Sequence, residues 1–171
     1  MRLTPMKERE DMHKKRWMLP LVVAAVMLAG LAFLLTHADI SALAQPGPLE
    51  SLIAGGIRSQ LIGRAARTVP EPAVENNPTN ISKGEDLYDM DCASCHGEKG
   101  RNPTPLGKSL YPRAADLGSL DVQKMSGREL FWVIKNGIRL SGMPGFGRID
   151  TDQEIWQLTY YIRTLRKSTK Q

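Results

Sequence analysis

With two cysteines, three histidines and only 6% aromatic residues, this 171-residue chain lacks the usual means of building a large core or a metal cluster. So few aromatics make a small core unless something else fills it. A structural zinc site takes four ligands. The histidines besides His96 are His13 and His37, on the N-terminal flank and at the end of an apolar run. No dense basic run is present, so nucleic-acid binding has no support. The net charge of +5 divides into +3 over residues 1–16, −1 over 17–79 and +3 over 80–171. Diffuse charge of this kind is usually a solvated surface, although +3 on the C-terminal part would favour an acidic docking partner. Carboxylates and histidines form no triad or paired-acid pattern, which leaves hydrolytic chemistry unsupported. Strand-type alternation and internal repeats are also missing, and the chain reads as helical.

One long apolar run stands out, Trp17 to Thr36. Twenty residues at about 1.5 Å each match the roughly 30 Å hydrocarbon core of a bilayer. No charge interrupts the run; Lys14, Lys15 and Arg16 crowd its start, and the next Lys or Arg is Arg58. The positive-inside rule then puts residues 1–16 in the cytoplasm and everything after residue 37 outside. A cleavable signal peptide is the rival, with Ala42-Leu43-Ala44 as its cleavage site. The run is longer than the usual signal core of about 7–15 residues, so an uncleaved anchor over 17–37 is the favoured reading.

Residues 38–80 read as a tether. Leu49, Leu52, Ile53, Ile57, Leu61, Ile62 and Ala65 recur at near-helical spacing. An amphipathic helix over 49–67 would lie on the membrane or against a partner subunit. Gly55-Gly56 weakens it, leaving a marginally helical tether as the alternative. Residues 68–80 hold three prolines and read as an extended linker of up to roughly 40 Å, about which the following domain would swing.

From residue 81 onward three capping boxes predict helices. Ser82-Lys83-Gly84-Glu85 opens one that runs into Cys92. Ser126-Gly127-Arg128-Glu129 opens a second, ended by Gly137, and Thr151-Asp152-Gln153-Glu154 a third, to about Lys167. The loop at 97–120 contains Pro103, Pro105 and Pro112, which argue against regular helix across most of it.

The chemistry lies in Cys92-Ala93-Ser94-Cys95-His96. Two thiols three apart with an imidazole directly after the second form the attachment signature of a c-type haem. On a helical turn these positions share one face, so both thiols meet one haem edge and His96 faces the iron. A thioredoxin-like site would need βαβ units, which are not visible; a simple disulfide would leave His96 unexplained. A haem also fills the small core of a domain of about 90 residues, and a single motif sets one haem as the ceiling. For the second axial position Met143 is the candidate, in the Gly/Pro loop Leu140–Gly147; Met90 and Met125 are fallbacks. A thioether there favours ferrous iron and electron transfer. Leu130, Phe131, Ile134 and Ile138 fit a helix face on the porphyrin or core, and Trp132 and Trp156 suit the core or an exposed haem edge.

Gly84, Leu87-Tyr88, Cys92–His96, Gly97, Gly142-Met143-Pro144 and Ile155–Ile162 together resemble the class I, monohaem cytochrome c family, of the membrane-anchored bacterial type. The resemblance spans residues 80–167, about half the chain. It implies an all-α fold with three main helices around one covalent haem, the first and last crossing at Gly84 near Trp156 and Tyr160. It also implies that a proline carbonyl accepts from the His96 Nδ1–H, which fixes the ring. Pro105 and Pro112 both qualify, and Pro112 is preferred. Tyr111 or Arg113 would face a haem propionate, with Arg139 another candidate; for each arginine a plain surface charge is the alternative.

The expected function is a membrane-tethered carrier of single electrons, with its haem domain in the periplasm of a bacterial inner membrane. Its partners would be redox proteins, mainly membrane complexes, with no nucleic acid and no small-molecule substrate. The alternative is a fixed haem-c subunit of a respiratory or photosynthetic oxidoreductase. A gas sensor or peroxidase would need an open iron, against which Met143 argues.

Overall fold

The computed structural model describes residues 6–37, 41 and 43–166, with side chains from Met18 onward. The basic side chains before Trp17, Ala42 of the cleavage motif and Lys167 lie outside the described residues. The chain divides into two compact units, Met1–Ile40 and Ser41–Gln171. In the first, α1 (Met6–His37) is continuous through Pro20. Its Met18–His37 stretch is long and apolar enough to cross a membrane, and its side chains are exposed throughout.

The second unit contains α2 (Pro48–Ala65), a 3₁₀ turn (Ala66–Thr68), α3 (Pro78–Asp91), α4 (Ala93–His96), α5 (Pro105–Ser109), α6 (Leu120–Gln123), α7 (Gly127–Asn136) and α8 (Asp152–Thr164). No strand occurs among the described residues, and the architecture is all-α. Its core is the junction of α3, α7 and α8. Tyr88, Phe131, Ile155 and Leu158 are sealed within it, and Phe131 lies against Trp156 at 4.7 Å between ring centres. Trp156 is thus core, as are Leu130 and Ile134, while Trp132 is half-buried at the margin. Two buried polar residues, Gln157 and Thr159, are paired. Gln157 donates to Asn80 at 2.9 Å, and Thr159 to the Ile155 carbonyl at 2.8 Å.

The capping boxes of α7 and α8 both form, with Ser126 and Thr151 as caps answered by Glu129 and Glu154. Gly137 ends α7 at φ 70°, a conformation that suits glycine. α8 stops at Thr164, where the Arg101 guanidinium donates to the Leu165 carbonyl at 2.8 Å and occupies one of its unsatisfied acceptors.

Two expectations are corrected, and a third, the loop at 97–120, holds across most of its length with one short exception. α3 starts at Pro78, not Ser82: Asn77 accepts from the Asn80 amide and Pro78 takes the first helical position, a stronger start than the Ser82 box inside the helix. The 97–120 loop includes the short helix α5, because Pro105 sits at its first position, where no amide is needed, behind the Thr104 cap. Finally, 68–80 is no free linker. Val69 is buried in the core, Val74 packs on it, and the Tyr160 hydroxyl donates to the Val74 carbonyl at 2.8 Å. Ile62 and Ala66 are also buried, and Arg128 pairs with Glu71. Val69 and Val74 are isolated in sequence, so periodicity gave no warning that tertiary packing would recruit them.

Candidate haem-binding site

Cys92 caps the end of α3, and α4 follows at once, so the motif occupies a tight helical turn. The amides of Cys95 and His96 donate to the Cys92 carbonyl at 3.1 and 2.9 Å, and Gly97 donates to Ala93 at 2.9 Å. A helix of one turn leaves its last carbonyls without partners. Thr104 supplies them: its hydroxyl donates to the Ser94 carbonyl at 2.7 Å and its amide to Cys95 at 3.1 Å. α5 closes on the motif so tightly that a β-carbon on Gly107 would stand 2.0 Å from the Cys95 carbonyl oxygen. Tyr88 braces the other end, its hydroxyl donating to the Gly97 carbonyl at 2.6 Å.

Both cysteines are half-buried and are not bonded to each other. Burial, with Asp91, Asp150 and Cys95 nearby, pushes the Cys92 thiol up to about 12. Asp150 has one buried carboxylate oxygen without a hydrogen-bond partner among the described residues, and burial, Asp91 and Glu154 raise its carboxyl. Burial lowers His96 despite the opposing effect of its bond to Ala115. The neutral imidazole, the form that binds metal, is therefore favoured.

His96 Nδ1 lies 2.8 Å from the Ala115 carbonyl oxygen. As a donor there, Nδ1 leaves Nε2 as the free ligand atom. This corrects the expectation that Pro112 provides the carbonyl. Any residue offers that acceptor, and the path of the 110–116 turn decides which one meets the ring. Pro112 follows Tyr111 through a cis peptide bond. Tyr111 donates its hydroxyl to Glu50 of α2, which raises the phenol, and the Arg113 amide donates to the Gln45 side chain at 3.4 Å. The Arg113 and Arg139 side chains are exposed.

Met143 is half-buried in the loop after α7. The Ile138 amide donates to its carbonyl at 3.2 Å, and its own amide donates to Ser141 Oγ at 3.2 Å. Beyond it, Phe146 and Gly147 donate back to Ile134 and Lys135 of α7, which fixes the loop at both ends. Met90 is exposed on α3, and Met125 packs at the core margin. Ala115, Thr104, Tyr88 and Gly107 were not identified from sequence as supports of the motif. Only Thr104-Pro105, a cap followed by proline, left a local signal.

Two cysteines three apart on one helical turn, a histidine held neutral and oriented, and backbone packed around them through glycine fit a covalently attached haem. Residues 79–162 match the family described as Cytochrome C oxidase, cbb3-type, subunit III. The chain belongs to the monohaem cytochrome c family, whose members bind haem c covalently and transfer electrons. Among solved structures it is similar to a chain of the Kuenenia stuttgartiensis reducing HAO-like protein complex Kustc0457/Kustc0458, at 25% identity and a TM-score of 0.48. That alignment covers 58% of this chain and 52% of the other, so this chain spans about half of that relative's length. It is also similar to the KustC0563 c-type cytochrome, at 30% identity and a TM-score of 0.44, over 49% of this chain and 98% of that one. No curated protein matches.

Proposed function

We infer that the protein carries single electrons through one haem c, joined to Cys92 and Cys95 and ligated by His96 and Met143, while α1 anchors it in a membrane. The observation that carries this reading is the His96 Nδ1 to Ala115 contact of 2.8 Å, which turns the free nitrogen of a neutral ring toward ligation. Once bound, haem c supplies a one-electron ferrous/ferric couple. His96 then acts as the oriented basic ligand, and Met143 as the soft ligand that favours the ferrous state. Two protein ligands leave no open position, which favours electron transfer over gas or peroxide chemistry.

The apolar Met18–His37 helix, the basic flank before it and the lack of Lys or Arg until Arg58 support a single pass through a bacterial cytoplasmic membrane. The N-terminus would be cytoplasmic and the haem domain periplasmic, with redox proteins, chiefly membrane complexes, as partners. A fixed haem-c subunit is the second reading, favoured by the matched family's description as an oxidase subunit. Detergent purification separates the two: a stoichiometric complex supports the subunit, a lone cytochrome the carrier.

Axial ligation is tested by Met143→Ala in the full chain. The weak sulfur-to-ferric-iron absorption band is lost while covalent haem is retained. A persisting band removes Met143 from the iron.

A further inference from the structure

α2 presents two different faces. Ile62 is buried, and Ala66 just beyond the helix end is buried with it. Ile53 precedes Ile62 by nine residues, half a turn round the helix at about 100° per residue. Ile53 shares its side with Leu49, Leu52 and Ile57, the i, i+3, i+4 and i+8 positions of one stripe. All four are exposed, from 54% for Ile53 to 74% for Leu52. Ile62 is held against the domain, Glu50 at the edge of the row reaches Tyr111, and the large aliphatic side chains of the row itself stay exposed.

Two features of the chain select what covers that row. The first is chain length. Residues 38–47 alone separate the Met18–His37 span from α2, a reach of at most about 36 Å. A bilayer crossed by α1 therefore stays within reach of α2 at all times, whereas a separate protein must diffuse to it. The second is charge. Between Ser41 and Thr68 the charged residues are Glu50, Arg58, Arg64 and Arg67, and Glu50 is engaged by the Tyr111 hydroxyl. The exposed Arg64 and Arg67 remain toward the end of α2, as expected beside anionic headgroups.

We propose that α2 is an interfacial helix whose Leu49, Leu52, Ile53 and Ile57 row inserts into the headgroup region of an anionic phospholipid bilayer. The inference rests on the anchor reading of α1. Because α2 is packed on the domain through Ile62 and joined to it through Glu50 and Tyr111, the contact sets which side of the domain meets the lipid.

The test uses the full-length holoprotein in phosphatidylcholine vesicles with and without phosphatidylglycerol. Thioethers occupy Cys92 and Cys95, so Ile53→Cys introduces the sole free thiol, which takes the polarity-sensitive dye acrylodan; Lys83→Cys on α3 is the exposed control. Dye at position 53 emits to the blue of dye at 83, brominated phosphatidylcholine quenches it about twofold more, and phosphatidylglycerol strengthens the effect. Equal emission and quenching at both positions overturns the proposal. A blue-shifted dye at 53 that brominated lipid does not quench overturns it too, because a second copy or another protein then covers the row. Alkaline carbonate extraction of the same vesicles reads the anchor separately. Retained protein with an unquenched dye sinks α2 insertion alone; released protein sinks the anchor, and this proposal with it.

Discussion

A β-carbon on Gly84 of α3 would stand 2.1 Å from the Gln157 carbonyl oxygen of α8. The two helices that carry most of the core meet there, backbone to backbone. The contact brings Tyr88, one turn further along α3, to 5.2 Å from the Tyr161 ring. Gly84→Ala forces the helices apart along their whole crossing. Overpacking against immovable backbone costs about 1–3 kcal/mol or more, which lowers the melting temperature by about 5–15 °C. Far-UV circular dichroism of the variant measures it, and an unchanged melt would show that the crossing relaxes freely.

Gly107 makes a different close approach, to the motif itself. Its substitution by alanine drives α5 away from Cys95 and pulls Thr104 off the Ser94 and Cys95 carbonyls it serves. The expected loss is therefore in haem attachment more than in the remote α3–α8 core. Covalent haem per protein, from a pyridine haemochrome assay, falls in Gly107→Ala and stays at the wild-type level in Leu106→Ala, a change at an exposed neighbour. Equal haem content in both variants would remove α5 from the support of the motif.

The features legible in the sequence were those set by neighbouring residues. The Ser126 and Thr151 boxes are local hydrogen-bond patterns, and both helices start where those patterns put them. The CxxCH spacing needs only one helical turn, which α4 supplies. Gly84 was legible through family resemblance, since nothing adjacent to it announces a crossing partner 73 positions away. Ala115 was illegible for a physical reason: every residue carries a carbonyl, and only the fold of the 110–116 turn aims one at His96. Val69 and Val74 were missed because a single valine among prolines has no period. Their role is defined by what α7 and α8 leave uncovered.

Tyr88 gives the domain a dependence on alkaline pH. Its ring is fully buried at 0% exposure, and its hydroxyl donates to the Gly97 carbonyl at 2.6 Å. Burial, then the neighbouring Cys92 and Tyr161, holds the phenol far above its usual range. With haem joined at Cys92 as proposed, that residue would be a thioether with no charge to contribute, but burial, the larger cause, would still act. The unfolded phenol ionises near pH 10, so the folded state binds the proton more tightly. Stability from this group is complete below about pH 10 and declines as the pH rises beyond it. Tyr160 and Tyr161, also raised by burial, add to the decline. Tyr88→Phe keeps the ring but leaves the Gly97 carbonyl without its donor, a cost of about 1–3 kcal/mol at neutral pH. Above about pH 10 the same variant loses stability less steeply than the parent, because one buried phenol has gone. Urea unfolding from about pH 8 to about pH 11 measures both effects. Parallel curves for parent and variant across that range would mean that Tyr88 ionises as readily in the folded protein as in the unfolded chain.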